Sequence, residues 1–230
     1  LIDLPLSRQQ TPGGNGMKLD KRVAVAKTGI FAAALVPFAA LVVNAFTGGL
    51  GANPVEAITH TTGEWTLRLL IVTLAITPLR HLTGRVWLTR LRRMIGLFAF
   101  FYLMLHFATY AVLDASLDLS YIVEDVADRL YITVGFAAFV MLVPLAATST
   151  NAMVRRLGPV RWRRLHRLVY AAAVGGALHF LWLVRADLLE PLIYAGVLAA
   201  LLAARLPPAV KWMQNRRSKI AAARSAAPAS

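Results

Sequence analysis

The sequence predicts an all-α integral membrane protein, a six-transmembrane-helix bundle with both termini in the cytoplasm. Three observations predict it. Long apolar runs recur through the 230 residues, Lys and Arg gather in alternate connections between those runs, and histidines sit inside two of them. Mean hydropathy is +0.60 and only 16% of residues are charged, a balance foreign to ordinary soluble domains.

Residues 1–16 are polar, rich in Pro and Gly and without periodicity, and Met17 opens MKLDKR directly after them. They read as a cloning remnant or a misassigned upstream extension. Residues 17–27 form a basic cytoplasmic segment, residues 28–206 the membrane domain, and residues 207–230 a basic cytoplasmic tail. Six spans fit within the membrane domain. They run from about Thr28 to Phe46, Trp65 to Leu79, Met94 to Leu113, Leu130 to Ala147, Leu165 to Val184 and Leu188 to Ala204. Pro37 lies inside the first, where membrane helices tolerate it. The first run lacks a small-residue cleavage pattern and reads as a span rather than a signal peptide.

All but three of the 25 Lys and Arg residues fall on one side of this arrangement, the exceptions being Arg68, Arg129 and Arg185. The other side holds Glu56, Asp114, Asp118, Glu124, Asp125, Asp128, Asp187 and Glu190. The positive-inside rule then sets the orientation. The net charge of +14 is thereby explained by cytoplasmic loops against membrane lipid, and no nucleic-acid partner is expected. With no Cys, the chain excludes disulfides, iron–sulfur clusters, thiolate catalysis and a covalently attached c-type haem. It also lacks GxGxxG and GxxxxGK[ST] motifs.

An imidazole inside a membrane span is costly and calls for a named partner. His106 lies 12 residues into the third span, and His179 lies 14 residues into the fifth. Both spans rise outward, so the two rings reach roughly 18 and 21 Å from the inner boundary. Two imidazoles from two helices at one level, in the outer half of the bilayer, suit the axial ligation of a haem iron. The alternative is that each merely hydrogen-bonds a neighbouring helix.

His166 sits 13 residues before His179, at the cytoplasmic mouth of the fifth span. The matching positions before His106 are Arg93 and Arg92, so a second bis-histidine haem is not supported. His166 is left to ligate alone, to pair with His81, to lie beside a quinone or flavin at the inner surface, or to serve as an interfacial structural residue. His81 and His60 lie at loop mouths. Arg68, one turn inside the outer boundary, has two candidate partners: Glu64 four residues before it, and a haem propionate.

The ordered segments NPVEAITHTTG (53–63), TLAITPLR (73–80), RRMIGL (92–97), LHFATYAVLD (105–114), YITVGF (131–136), PLAATST (144–150), WRRLHRLVY (162–170), HFLWLV (179–184) and PLIYA (191–195) resemble the MsrQ family. Its members are haem-binding membrane subunits of bacterial periplasmic methionine sulfoxide reductase systems, related to the ferric-reductase transmembrane domain. The resemblance implies a ferric-reductase-like bundle in the bacterial inner membrane. His106, His166 and His179 match the family's haem-associated positions, with one haem b expected and a second open. The family takes electrons from the quinone pool and reduces a periplasmic molybdopterin partner, MsrP, which repairs oxidised proteins. An FMN and a cytoplasmic flavin reductase are also associated with it, although no flavin motif places the FMN in this chain. The chain is thus expected to be an electron-transfer subunit rather than the catalytic one. The acidic stretch from Asp114 to Asp128 reads either as a docking surface for the acceptor or as a solvated loop.

Three rival readings stand beside this one. A complete ferric reductase or superoxide-generating oxidase would need a flavin and NAD(P)H domain. A transporter would show broken helices and internal repeats. A scaffold whose histidines only join helices would be colourless.

Overall fold

The computed structural model describes residues 14–184 and 187–226. Arg185 and most of the segment 1–16 lie outside the described residues. Among the described residues the chain is wholly helical. The α-helices are α1 (Gly14–Thr47), α2 (Pro54–Thr83), α3 (Arg92–Ala108), α4 (Leu119–Asp128), α5 (Leu130–Ala147), α6 (Asn151–Leu165), α7 (Leu168–Leu183), α8 (Leu189–Ala203) and α9 (Pro207–Ala226). A 3-10 turn, Val86–Arg90, leads into α3, and a π-helical stretch, Thr109–Asp114, continues it.

Each boundary has a local cause. Asn53 caps α2, its Oδ1 accepting from the Glu56 N–H at 3.3 Å, with Pro54 in the first turn. At the other end Gly84 takes the left-handed conformation, φ 72°, and its N–H closes on the Arg80 carbonyl. Asp118 caps α4 through the Ser120 and Tyr121 N–H groups. Inside α6, Gly158 breaks the helix at φ 74°, just before Pro159.

Two interior prolines are repaired from distant parts of the chain. Next to Pro37, the Tyr102 hydroxyl inserts into the α1 ladder. It accepts from the Phe38 N–H at 3.1 Å and donates to the Ala34 carbonyl at 2.6 Å, with the ring wholly buried. Pro78 leaves the Leu74 carbonyl without its helical donor, and Arg205 donates to it from the α8–α9 bend. α2 packs along α3, and α5 packs along α7. Small residues allow the second approach: a Cβ on Gly175 would stand 3.3 Å from that of Ala138, beside the fully buried Ala172 and Ala173.

Three helical stretches are long and apolar enough to cross a membrane: Lys21–Thr47, Val86–Asp114 and Leu130–Ala147. A fourth is added if α8 and the first part of α9, bent by 77°, count as one span. α7 is apolar but has only 16 residues, and α2 carries Glu56, Glu64, Arg68 and Arg80 along its length. Large apolar side chains such as Phe31, Val36, Val43, Val140 and Ile193 face outward, as lipid-facing surfaces do. Three segments expected to be connections or tail are helical. α4 occupies the acidic stretch, α6 the basic connection, and α9 the tail. The fifth span also begins later than expected, because the chain turns between α6 and α7 and leaves His166 in that corner.

Candidate functional site

His106, in the last turn of α3, and His179, in the last turn but one of α7, line one cavity of about 250 Å³. Their ring centroids are 6.1 Å apart and the ring planes lie at 84°. The expected meeting of these two side chains is therefore realised.

Both rings are held by the same device. His106 Nδ1 donates to the Thr59 carbonyl at 2.9 Å, and His179 Nδ1 donates to the Tyr131 carbonyl at 2.7 Å. A carbonyl can only accept, so each Nδ1 carries the proton and each Nε2 keeps its lone pair. Four residues after each of these carbonyls stands a glycine. A Cβ on Gly63 would lie 3.1 Å from His106 Nδ1, and one on Gly135 would lie 2.6 Å from His179 Nδ1. The glycines make the space that lets the rings reach the helix backbone. Neither was singled out from the sequence. A glycine inside an apolar helix signals close approach, but nothing in the sequence says which side chain approaches.

The chemistry of this donor set can be tested. Among the described residues no group of three or more His, Cys, Asp or Glu could hold a metal ion, which leaves no structural zinc-type site. Two opposed imidazoles suit a metal whose other ligands come from a macrocycle. The walls are apolar and aromatic, with Phe107 stacked on Phe139 at 4.5 Å and Phe136 beside them. The residues fit a haem.

The polar rim of the cavity includes Glu64, Tyr110, Asp114 and Arg129. Asp125 is buried there, taking Arg129 Nε at 2.8 Å and the Tyr110 hydroxyl at 2.8 Å. Arg68 does not line this cavity. It donates to Glu64 at 2.8 Å and to the Tyr194 hydroxyl at 2.7 Å, with Glu190 at 3.6 Å. Glu64, one of its two expected partners, is in contact with it.

His166 is not brought to this site. It lines a second cavity of about 520 Å³ with Arg92, Arg93, Arg163, Arg167 and Arg205. His81 lines neither cavity, and His60 lies at the edge of the first.

A family described as the ferric reductase like transmembrane component matches residues 62–177, a stretch that holds His106 and His166 and ends just short of His179. Three relatives cover nearly the whole chain. One from Ralstonia nicotianae is 54% identical, over 81% of this chain and 87% of its own length. One from Rhodospirillum rubrum is 51% identical, over 88% and 98%. One from Herminiimonas arsenicoxydans is 50% identical, over 86% and 90%. Each is named as the haem-binding subunit MsrQ of protein-methionine-sulfoxide reductase. The chain belongs to the MsrQ family. No solved structure matches it. Within the family frame, the bundle is a ferric-reductase-like membrane domain.

Proposed function

We propose that this chain is the haem b electron-transfer subunit of a methionine sulfoxide reductase system, and that His106 and His179 would hold the haem iron. One observation carries the reading: two imidazoles from α3 and α7, both protonated on Nδ1 by backbone contacts, face one cavity with their Nε2 lone pairs free. The names of the relatives support the haem and the reductase system.

A haem held by His106 and His179 would supply reversible one-electron chemistry. The protein's own residues orient it. Thr59 and Tyr131 fix the rings through their carbonyls, Gly63 and Gly135 leave the rings room, and Phe107, Phe136 and Phe139 exclude water. Two cations stand near the cavity as candidates to meet a propionate: Arg129 lines it and is paired with Asp125, and Arg68 lies beside it, paired with the lining residue Glu64. His166, among arginines, is not used as an iron ligand in this reading.

The same proposal carries the finer placement. Residues 28–206 cross the bacterial inner membrane six times with both termini in the cytoplasm, as the distribution of Lys and Arg supports. Electrons arrive from the quinone pool or from a cytoplasmic flavin reductase with FMN, and leave to a periplasmic MsrP. The outer position of the histidine pair favours the hop to that partner.

The test is a reduced-minus-oxidised visible spectrum of the detergent-purified protein, followed by mixing the reduced form with MsrP. A low-spin b-type signal that MsrP discharges supports the proposal in full. A b-type signal that MsrP leaves untouched points to another acceptor. A colourless protein from haem-replete cells rejects it.

A further inference from the structure

The histidine pair stands on two halves of the bundle. α2 and α3 pack together and carry His106 with the Thr59 carbonyl that holds it, while α5 and α7 pack together and carry His179 with the Tyr131 carbonyl. Each ring is fixed to its own half, so the distance between the rings depends on what fixes the halves to each other. Between α3 and α5 the ring of Phe107 packs on those of Phe136 and Phe139. Apolar contact of this kind is non-directional and resists sliding only weakly.

α4 connects the two halves, and its setting is unusual. Ser116 and Leu117, in the turn before it, have φ of 50° and 61°, a left-handed conformation that non-glycine residues keep only where the surroundings impose it. The turn brings α4 back to the cavity, which Val126 lines. Asp125 faces inward at 5% exposure, whereas Leu119 and Val123 are left outside at 76% and 69%. Burial of apolar area alone would not select that face. Among the described residues Asp125 is the one buried charged side chain, and a buried charge is costly unless it is paired.

Its two oxygens turn to opposite halves. Oδ2 accepts from the hydroxyl of Tyr110, four residues beyond His106, at 2.8 Å. Oδ1 accepts from Nε of Arg129, two residues before Tyr131, at 2.8 Å. Both bonds are charge-assisted and have a set direction, which the phenylalanine contact lacks. Tyr110 lies in the π-helical stretch, whose wider turn takes it off the register that α3 alone would give.

We propose that Asp125 is a positioning residue for the histidine pair: it ties the α3 half to the α5 half and thereby sets how far His106 and His179 stand apart. Its importance for the haem rests on the proposed function, while the tie itself does not.

The experiment uses the full-length protein in detergent. The chain has no cysteine, so nitroxide labels at Met104→Cys on α3 and Ala137→Cys on α5, both exposed positions, report the spacing of the halves by pulsed dipolar EPR of the haem-free protein. The labelled parent should give one narrow distance distribution. Asp125→Asn, close in size but uncharged, should broaden it and weaken haem binding about tenfold or more in a titration. Tyr110→Phe, which removes one of the two bonds, should act in the same direction and is read in place of Asp125→Asn if that variant does not fold. Tyr102→Phe, which removes a hydroxyl remote from α4, is the control and should leave the distribution narrow. A distribution that stays narrow in both Asp125→Asn and Tyr110→Phe overturns the proposal. So does equal broadening in Tyr102→Phe, which would mean general loosening, and so does unchanged haem affinity. A parent that takes up no haem rejects the proposed function instead, and the distances still decide whether Asp125 ties the halves.

Discussion

The two cavities lie end to end along α7 and are built by opposite means. At the His106–His179 end, the backbone orients each ring: two carbonyls hold the rings and two glycines make way for them. Charge there is locally balanced, with Asp125 against Arg129 and Glu64 against Arg68. At the His166 end, long side chains form the walls and charge is left open on five arginines. A site that must hold a metal at a fixed distance is built from rigid helix backbone, whereas walls of long flexible cations remain adaptable.

The largest expected effect separates the histidines of the two ends. His106→Ala or His179→Ala abolishes the low-spin b-type spectrum, while His166→Ala retains it; loss of the signal in all three would erase the distinction between the cavities. The next tests the backbone device. Gly135→Ala places a methyl 2.6 Å from His179 Nδ1 and breaks the hydrogen bond to Tyr131, so haem affinity is expected to fall about 10- to 100-fold. Gly63→Ala, with 3.1 Å of clearance to His106, should cost less. Haem titration of the apoprotein gives both values, and the reverse order would show that His106 is the more tightly confined ring.

Tyr102→Phe removes the hydroxyl that bridges Ala34 and Phe38 and should lower stability by about 1–3 kcal/mol, with the haem spectrum kept. Thermal unfolding in detergent reads the loss, and an altered spectrum would tie α1 to the site after all. Smallest is Arg68→Ala. Its ion pairs are partly exposed and should contribute less than about 1 kcal/mol, and the haem midpoint potential should move less than in Arg129→Gln. A larger shift would single out Arg68 as the propionate partner.

The pairing of His106 with His179 was legible because depth along a helix follows from residue count alone. What holds them was not. The hydrogen bonds to Thr59 and Tyr131 depend on how α2 and α5 are rotated against α3 and α7, which residue count alone does not give. The repair of Pro78 by Arg205 joins residues far apart in sequence, and Tyr194 reaches Arg68 from α8 in the same way. Such pairs leave no local pattern. The amphipathic α4 was hidden in a stretch read by its acidic residues, and α6 by a Gly158–Pro159 break that reads as a loop. Family resemblance supplied what spacing could not, and the relatives bear that resemblance out.

Leu70 and Leu142 line both cavities, so the wall between them is one side chain deep at these points and made of hydrocarbon there. Proton relays across membranes run on chains of Asp, Glu or His, and these two leucines offer no such stepping stone. An electron needs none. A partition of this kind behaves as an insulator toward protons and a thin barrier toward electrons, so on the proposed function an electron could pass between the two ends of α7 at these points without opening a path for protons.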